Sequence, residues 1–418
     1  MLMKKAFTIF IILAIALTPF LSCLSISFVD SVKAQNPAQK KWTIMLYDDA
    51  DFYNAFDPLW VIVNNTGSTE NVNVLVLQDK ENGPASIWYI DEDYNKVLLE
   101  ELGEINMGNY TTLRNFIDYC KTNFSAERYM ITLYNHGGAW RGACWDGTDD
   151  NDNLEMDEIQ RALNESKRVN IISFSACDMG CIESAYELRD QVDVYIGSEE
   201  MHGFGDYWLE IPQVLDKNAE DTTYNISRKI IEIYKNMYPY FGNLYGWTID
   251  LVRQMMMRIF PYPPALTISA VRADKMETLV SSVNDLSNIL IDNINLYKRT
   301  ITGIRLRVDD FPRTMSILSP LGDSVDIYHF VDLMDKPRFR LLTPDLHEAA
   351  ENVKRNLEQV LVDEYHQIGH RKAHGLSIYF PPKYTTTEYK KYDSLYSNYG
   401  LDFTEDTNWD EFLQTYLS

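Results

Sequence analysis

Short apolar runs alternate with segments of helical periodicity through most of this chain. Residues 42–47 form an apolar run that ends in the acidic stretch Asp48-Asp49-Ala50-Asp51, and 72–77 form a second. Residues 86–90 and 97–101 flank a polar turn and predict a small antiparallel pair. Leu113, Phe116, Ile117 and Cys120 fall on one face of a helix over 111–122. A strand over 129–134, a polar loop, a helix near 156–163 and a strand over 169–175 follow. A helix over 182–189 and a strand over 192–197 come next. The second half is more helical, with periodic segments at 226–237, 276–297, 346–365 and 409–417, and strands at 266–271 and 375–380. This β-α-β punctuation predicts an α/β fold, a mainly parallel sheet flanked by helices.

Two of the predicted strands end in a reactive side chain. One runs into Asn135-His136-Gly137-Gly138, the other into Ser175-Ala176-Cys177. Neighbouring parallel strands would bring His136 and Cys177 out together at the carboxyl edge of the sheet, where open α/β sheets place their sites. A thiol that cleaves an amide needs a base, donors for the oxyanion and a cleft. His136 supplies the base. Gly137 and Gly138 let backbone approach a carbonyl without a Cβ in the way. Cys177 lies between a strand and a helix, so its own N–H can point at the same oxygen. A structural cysteine and a surface histidine are the bland alternative. A Cys₃His zinc site drawn from Cys177, Cys181, Cys144 and His136 is another, but it explains only the ligand types.

Composition narrows the partners. The chain has 418 residues, 45% of them hydrophobic, and a formal charge of −23. That charge argues against nucleic acid, which needs clustered Lys and Arg. Lys4 and Lys5 precede an apolar stretch over 6–21, and Val32-Lys33-Ala34 offers a cleavage site. Residues 1–34 therefore read as a secretory signal peptide, with an uncleaved N-terminal anchor as the alternative. A secreted or cell-surface location and a monomer are expected. Beyond the leader, 40–260 are expected to form a catalytic core, and 261–418 to complete the sheet and pack on it. Four cysteines remain after the leader, too few for a disulfide framework in so large a chain.

The ordered motifs resemble the clostripain family of cysteine peptidases, in the clan that includes the caspases. They are Asn135-His136-Gly137-Gly138 with Trp140-Arg141-Gly142, Ser175-Ala176-Cys177-Asp178-Met179, Glu183-Ser184-Ala185-Tyr186-Glu187-Leu188, Ile196-Gly197-Ser198-Glu199-Glu200, and His374-Gly375-Leu376-Ser377-Ile378-Tyr379-Phe380-Pro381. The resemblance implies a caspase-like sandwich and endopeptidase activity on protein or peptide substrates. It makes His136 and Cys177 the dyad, and the N–H groups of Gly137 and Cys177 the oxyanion hole. A peptide-binding member without catalysis is the rival reading.

One position departs from the pattern. Relatives that cleave after Arg or Lys carry an Asp two residues before the nucleophile, and here that residue is Ser175. A hydroxyl cannot neutralise a guanidinium, and an unpaired buried charge is strongly destabilising. Strict Arg specificity is therefore expected to weaken, unless Glu200 or Asp206 replaces the missing carboxylate. No cofactor is required by this chemistry. The loop carrying Asp146, Asp150 and Asp152 offers oxygen ligands suited to Ca²⁺, but lacks the order of an EF-hand and reads first as a solvated acidic loop. His366, His370 and His374 recur every four residues as zinc ligands on a helix would, though Gly369 interrupts them.

Overall fold

The computed structural model describes residues 39–51, 66–200, 202, 206–238, 266–311, 322–337, 343–382 and 395–418. The leader lies outside them.

Nine strands form the central sheet. They are β1 (Lys40–Asp49), β2 (Val72–Asp79), β3 (Ala85–Ile90), β4 (Lys96–Gly103), β5 (Ala126–Tyr134), β8 (Ile171–Ser175), β9 (Val194–Gly197), β10 (Thr267–Arg272) and β13 (Leu361–His366). Their spatial order is β13-β10-β9-β8-β5-β1-β2-β3-β4. The five central strands, β9 to β2, run parallel. Antiparallel strands extend them at both ends. Two short hairpin strands, β6 (Ala143–Asp146) and β7 (Asp152–Leu154), follow the His136 loop. A small sheet of β11 (Asp310–Phe311), β12 (Ser324–Asp326) and β14 (Ser377–Tyr379) lies apart.

Alternation along the strands explains the layers. In β1, Trp42, Ile44 and Leu46 join one apolar cluster with the helices Ile211–Lys217 and Thr223–Met237. Met45 and Tyr47 point the other way, into a larger cluster with Tyr110–Asn123, Met156–Glu165, Met276–Asp292 and Pro344–Val360. A sheet buried on both faces needs apolar residues at successive positions, and that is why its strands read as continuous runs. The predicted helix face of Leu113, Phe116, Ile117 and Cys120 is the buried one, and Asn109 caps that helix by accepting the Thr111 N–H at 2.9 Å.

Two helical segments differ from expectation. The segment over 276–297 is two helices, Met276–Asp292 and Ile294–Arg305, broken at Asn293. The segment over 346–365 is a helix only to Val360; Leu361–His366 is β13, drawn into the sheet by antiparallel pairing with β10. Pairing overrides a local helical pattern where it satisfies a whole strand edge. All four cysteines of the described chain are free. No helix among the described residues is long and apolar enough to cross a membrane.

Candidate active site

The register of β5 and β8 places Tyr134 opposite Ser175. His136 and Cys177 each lie two residues beyond that pair, so both leave the sheet at the same height on adjacent strands. The glycine after the histidine is in contact with the cysteine's backbone. A Cβ built on Gly137 would lie 1.9 Å from the Cys177 carbonyl oxygen and 3.0 Å from its nitrogen. No side chain fits there, which is the local reason for glycine.

The loop after His136 folds back through a short hairpin. Cys144 N–H donates to the His136 carbonyl at 3.1 Å, and Gly138 N–H donates to the Gly142 carbonyl at 3.0 Å. These bonds fix Gly137 without using its N–H. Neither the Gly137 nor the Cys177 amide donates a hydrogen bond among the described residues, so both remain available to a substrate oxygen. Asn135 orients the histidine from behind: its Oδ1 accepts the His136 N–H, and its Nδ2 donates to the Asp49 carbonyl at 2.9 Å.

The electrostatics favour a neutral pair at rest. Burial pushes the Cys177 thiol up to about 12, helped by the Asp178 and Glu200 charges. Burial also lowers His136 below the ordinary histidine value. One donor opposes the rise of the thiol: the His202 N–H, 3.4 Å from Cys177 Sγ. Asp178, at φ 62°, donates its N–H to the Glu200 carbonyl at 3.1 Å, tying the Cys177 loop to the end of β9. The C-terminal segment ties it again, through Ser377 N–H to the Gly180 carbonyl at 2.9 Å.

The remaining predicted residues fall in distinct places. Ser175 is buried on the sheet face that also carries Ser173, and the Tyr207 hydroxyl lies 3.2 Å from Ser173 Oγ and also faces Ser175. Three hydroxyls, those of Ser173, Ser175 and Tyr207, thus gather on this face. Glu200 is buried with its carboxylate 3.3 Å from His370 Nε2. Asp206 opens the turn Asp206–Glu210, and its side chain lies outside the described residues. Asp146 is buried, accepting the Met107 N–H at 2.7 Å. Asp152 accepts from the Asn106 amide at 2.7 Å, and both Asp150 and Asp152 are exposed.

Neither zinc arrangement assembles. His366 ends β13, His370 lies in a 3-10 turn and His374 in the loop beyond, so no helix face unites them. Cys181 Sγ is bonded to Ser184 Oγ at 3.1 Å, and Cys144 is buried beside Asp49 and Asp146. Among the described residues, the group whose possible ligand atoms lie within 4.8 Å of one another is Asp335, His347 and Glu351, which includes none of these.

His370 is a feature that sequence reading assigned differently. It lies between Glu200 and Asp309, whose Oδ1 is 3.4 Å from His370 Nδ1. Burial opposes the imidazolium, but the two carboxylates outweigh it and hold His370 above its usual 6.5. The stabilisation is complete below that value and fades as pH rises through the folded-state one. Measured against His370→Gln, the wild type's advantage in melting temperature should therefore shrink as pH rises above about 6.5. An advantage that stays constant or grows would contradict this reading of the triad.

A parallel α/β sheet that brings a histidine, a glycine amide and a cysteine to one edge is the arrangement of caspase-type cysteine peptidases. The clostripain family, peptidase C11, matches residues 45–416, and the chain belongs to this family. Clostripain of Hathewaya histolytica is 39% identical over 100 residues, covering 21% of this chain and 19% of that protein. The chain thus matches about a fifth of that relative's length. Two solved structures share the fold. An inactive zymogen C11 protease from Parabacteroides distasonis aligns with a TM-score of 0.62 at 19% identity, over 89% of this chain and 99% of that one. A secreted C11 cysteine protease from Bacteroides thetaiotaomicron, bound to an irreversible peptide inhibitor, aligns with a TM-score of 0.63 at 14% identity, over 88% and 99%.

Proposed function

We propose that the protein is an exported cysteine endopeptidase in which Cys177 attacks the scissile carbonyl and His136 takes and returns the proton. The observation that carries this is the packing of Gly137 on the Cys177 backbone at a shared sheet edge. The thiol transfers its proton to His136 as sulfur attacks, because a thiol raised this far does not ionise in advance. The Gly137 and Cys177 amides receive the oxyanion, the amine leaves with the proton from His136, and water hydrolyses the acyl-enzyme. No cofactor takes part in these steps. Export rests on the leader pattern and on the secreted relative from Bacteroides thetaiotaomicron. A peptidyl acyloxymethyl ketone should label Cys177 of the folded, reduced protein and leave Cys177→Ala unlabelled. Absence of labelling in the wild type would favour the rival reading, a peptide-binding member without catalysis.

The P1 preference follows from Ser175. Three hydroxyls solvate an uncharged or polar side chain but leave a guanidinium without a counter-charge. Glu200 is already engaged with His370. Ser175→Asp is therefore expected to raise kcat/KM for Arg at P1 by about tenfold or more. Profiling peptides varied at P1 tests this. A wild type with exclusive Arg preference, unchanged in Asp206→Ala, would sink it.

A further inference from the structure

A cavity of about 120 Å³ borders the His136 and Cys177 loops. Gly138 and Asp178, the residues that follow Gly137 and Cys177, both line it. Gly138, Arg141, Asp178 and Asp323 are half-buried and form its mouth. Glu199, Phe311 and Tyr379 are buried and form its floor, and Trp140 adds a buried wall. The cavity lies across the sheet from Ser175. Trp140 and Tyr379 belong to the larger apolar cluster on one face, whereas Tyr207, which faces Ser175, belongs to the smaller cluster on the other.

Two buried polar atoms of this lining have no partner among the described residues. Trp140 is 1% exposed, and its indole Nε1–H meets no acceptor. Asp178 Oδ1 is cut off from solvent and meets no donor. Glu199 is held at Oε2 by the Gly375 N–H at 3.0 Å and keeps a proton against the Asp326 carboxylate, while its Oε1 receives no N–H or hydroxyl. Burial, with the Glu200 and Asp323 charges, pushes the Asp178 carboxyl well above the usual range, and Arg141 offsets only part of this. Three carboxyl groups, those of Asp178, Glu199 and Asp323, thus line the cavity against one guanidinium, Arg141, which lies 4.3 Å from the Trp140 ring centroid. Buried polar atoms are normally satisfied, and an apolar concavity with a few convergent polar groups is the usual form of a ligand site. A bare cation would answer Asp178 and leave the Trp140 N–H unmet. A peptide residue with a cationic side chain answers both, through its ammonium and its carbonyl oxygen.

We propose that this cavity is the subsite for the substrate residue on the leaving-group side of the scissile bond, P1′, and that it takes lysine. The assignment rests on the peptidase reading given above. Successive side chains of an extended peptide point to opposite sides. A P1 side chain directed toward Ser175 therefore sends the P1′ side chain to the other face, where the cavity lies. The lysine stem runs along Phe311 and Tyr379, and its ammonium reaches Asp178 Oδ1 and Glu199 Oε1. A space of this size holds about four waters. That admits the slender lysine chain and excludes the planar fork of arginine.

Selection at this position differs in kind from selection at P1. Ser175 meets the residue that stays on the enzyme as the acyl group, whereas Asp178 and Glu199 meet the residue that departs with the amine. The two acids touch the substrate side chain and not the reacting atoms, so they set specificity and take no part in proton transfer.

The test separates binding from cleavage. Binding is measured by calorimetry on full-length Cys177→Ala protein, with peptides that carry an equimolar mixture at P1 and differ only at P1′, as lysine, norleucine, arginine or glutamate. Norleucine keeps the stem and lacks the ammonium. The lysine peptides are expected to bind at least about tenfold more tightly than the norleucine peptides, with glutamate weakest. Asp178→Asn in the same background should bring the lysine-to-norleucine ratio to within about threefold, and Glu199→Gln gives the same readout should the first variant fold poorly. The ratio is taken within each protein, so a general loss of binding cancels. Cleavage by the wild type of a fluorogenic series varied at P1′ should follow the same order in kcat/KM. Equal binding of lysine and norleucine peptides, or binding of neither, would overturn the subsite. So would a lysine preference that survives in both Asp178→Asn and Glu199→Gln. A lysine preference in binding without any cleavage by the wild type would uphold the subsite and strike the peptidase reading instead.

Discussion

Cys177→Ala is expected to lower kcat for a peptide substrate by about ten-thousand-fold or more, with the fold intact. The change removes only Sγ, and the Cys177 atoms packed against Gly137 are backbone, so packing against the His136 loop survives. On the proposed mechanism, what disappears is the sulfur attack that leads to amide cleavage. His136→Ala should cost a comparable factor. The His202 N–H alone opposes burial at the thiol among the described residues, so without the base the sulfur remains protonated. Groups that act in one proton transfer are not additive, and the double variant should be little worse than either single one. Hydrolysis of a fluorogenic peptide by variants with wild-type circular dichroism checks both statements. Cys177→Ala activity within tenfold of wild type would place the nucleophile elsewhere.

Gly137→Ala is the second large effect, and it should strike stability and rate together. The added methyl carbon would sit 1.9 Å from the Cys177 carbonyl oxygen. Backbone, not a flexible side chain, must move. Overpacking of this sort costs about 1–3 kcal/mol. The same displacement turns the Gly137 and Cys177 amides away from a common point, and loss of one oxyanion donor alone costs about 10²–10³ in kcat. The expected result is a lower urea midpoint and a kcat reduced at least a hundredfold, with KM changed far less. Gly138→Ala is a useful contrast. Its nearest neighbour is the Trp145 ring, at 2.5 Å, which is a side chain able to shift. A Gly137→Ala enzyme with unchanged kcat would remove that amide from the mechanism.

The parts of this architecture that sequence reveals are those governed by local pattern. The β5 and β8 runs are apolar because both sheet faces are covered, and their ends are marked by His136 and Cys177. Pairwise placement is less legible. Leu361–His366 looks helical beside Pro344–Val360 and becomes a strand because β10 offers a free edge. His366, His370 and His374 share a helical spacing by coincidence. His370 serves Glu200, 170 positions earlier, and no short-range signal encodes such a pair. The acidic end of β1 is plain in Asp48-Asp49-Ala50-Asp51, whereas its burial is set by the β6–β7 hairpin and by Met107. The acidic loop over 146–153 attracts notice by composition, yet of Asp146, Asp150 and Asp152 only Asp146 is buried.

The nucleophile loop also has a history written into it. Gly375 N–H bonds the Glu199 carboxylate at 3.0 Å, Ser377 N–H bonds the Gly180 carbonyl at 2.9 Å, and Tyr379 N–H bonds the Glu183 carboxylate at 2.8 Å. Every one of these donors is made nearly two hundred residues after Cys177. A growing chain on the ribosome therefore carries its thiol and its histidine long before it carries the segment that holds them in place. The edge that carries His136 and Cys177 is braced only once residues 375–379 have been made.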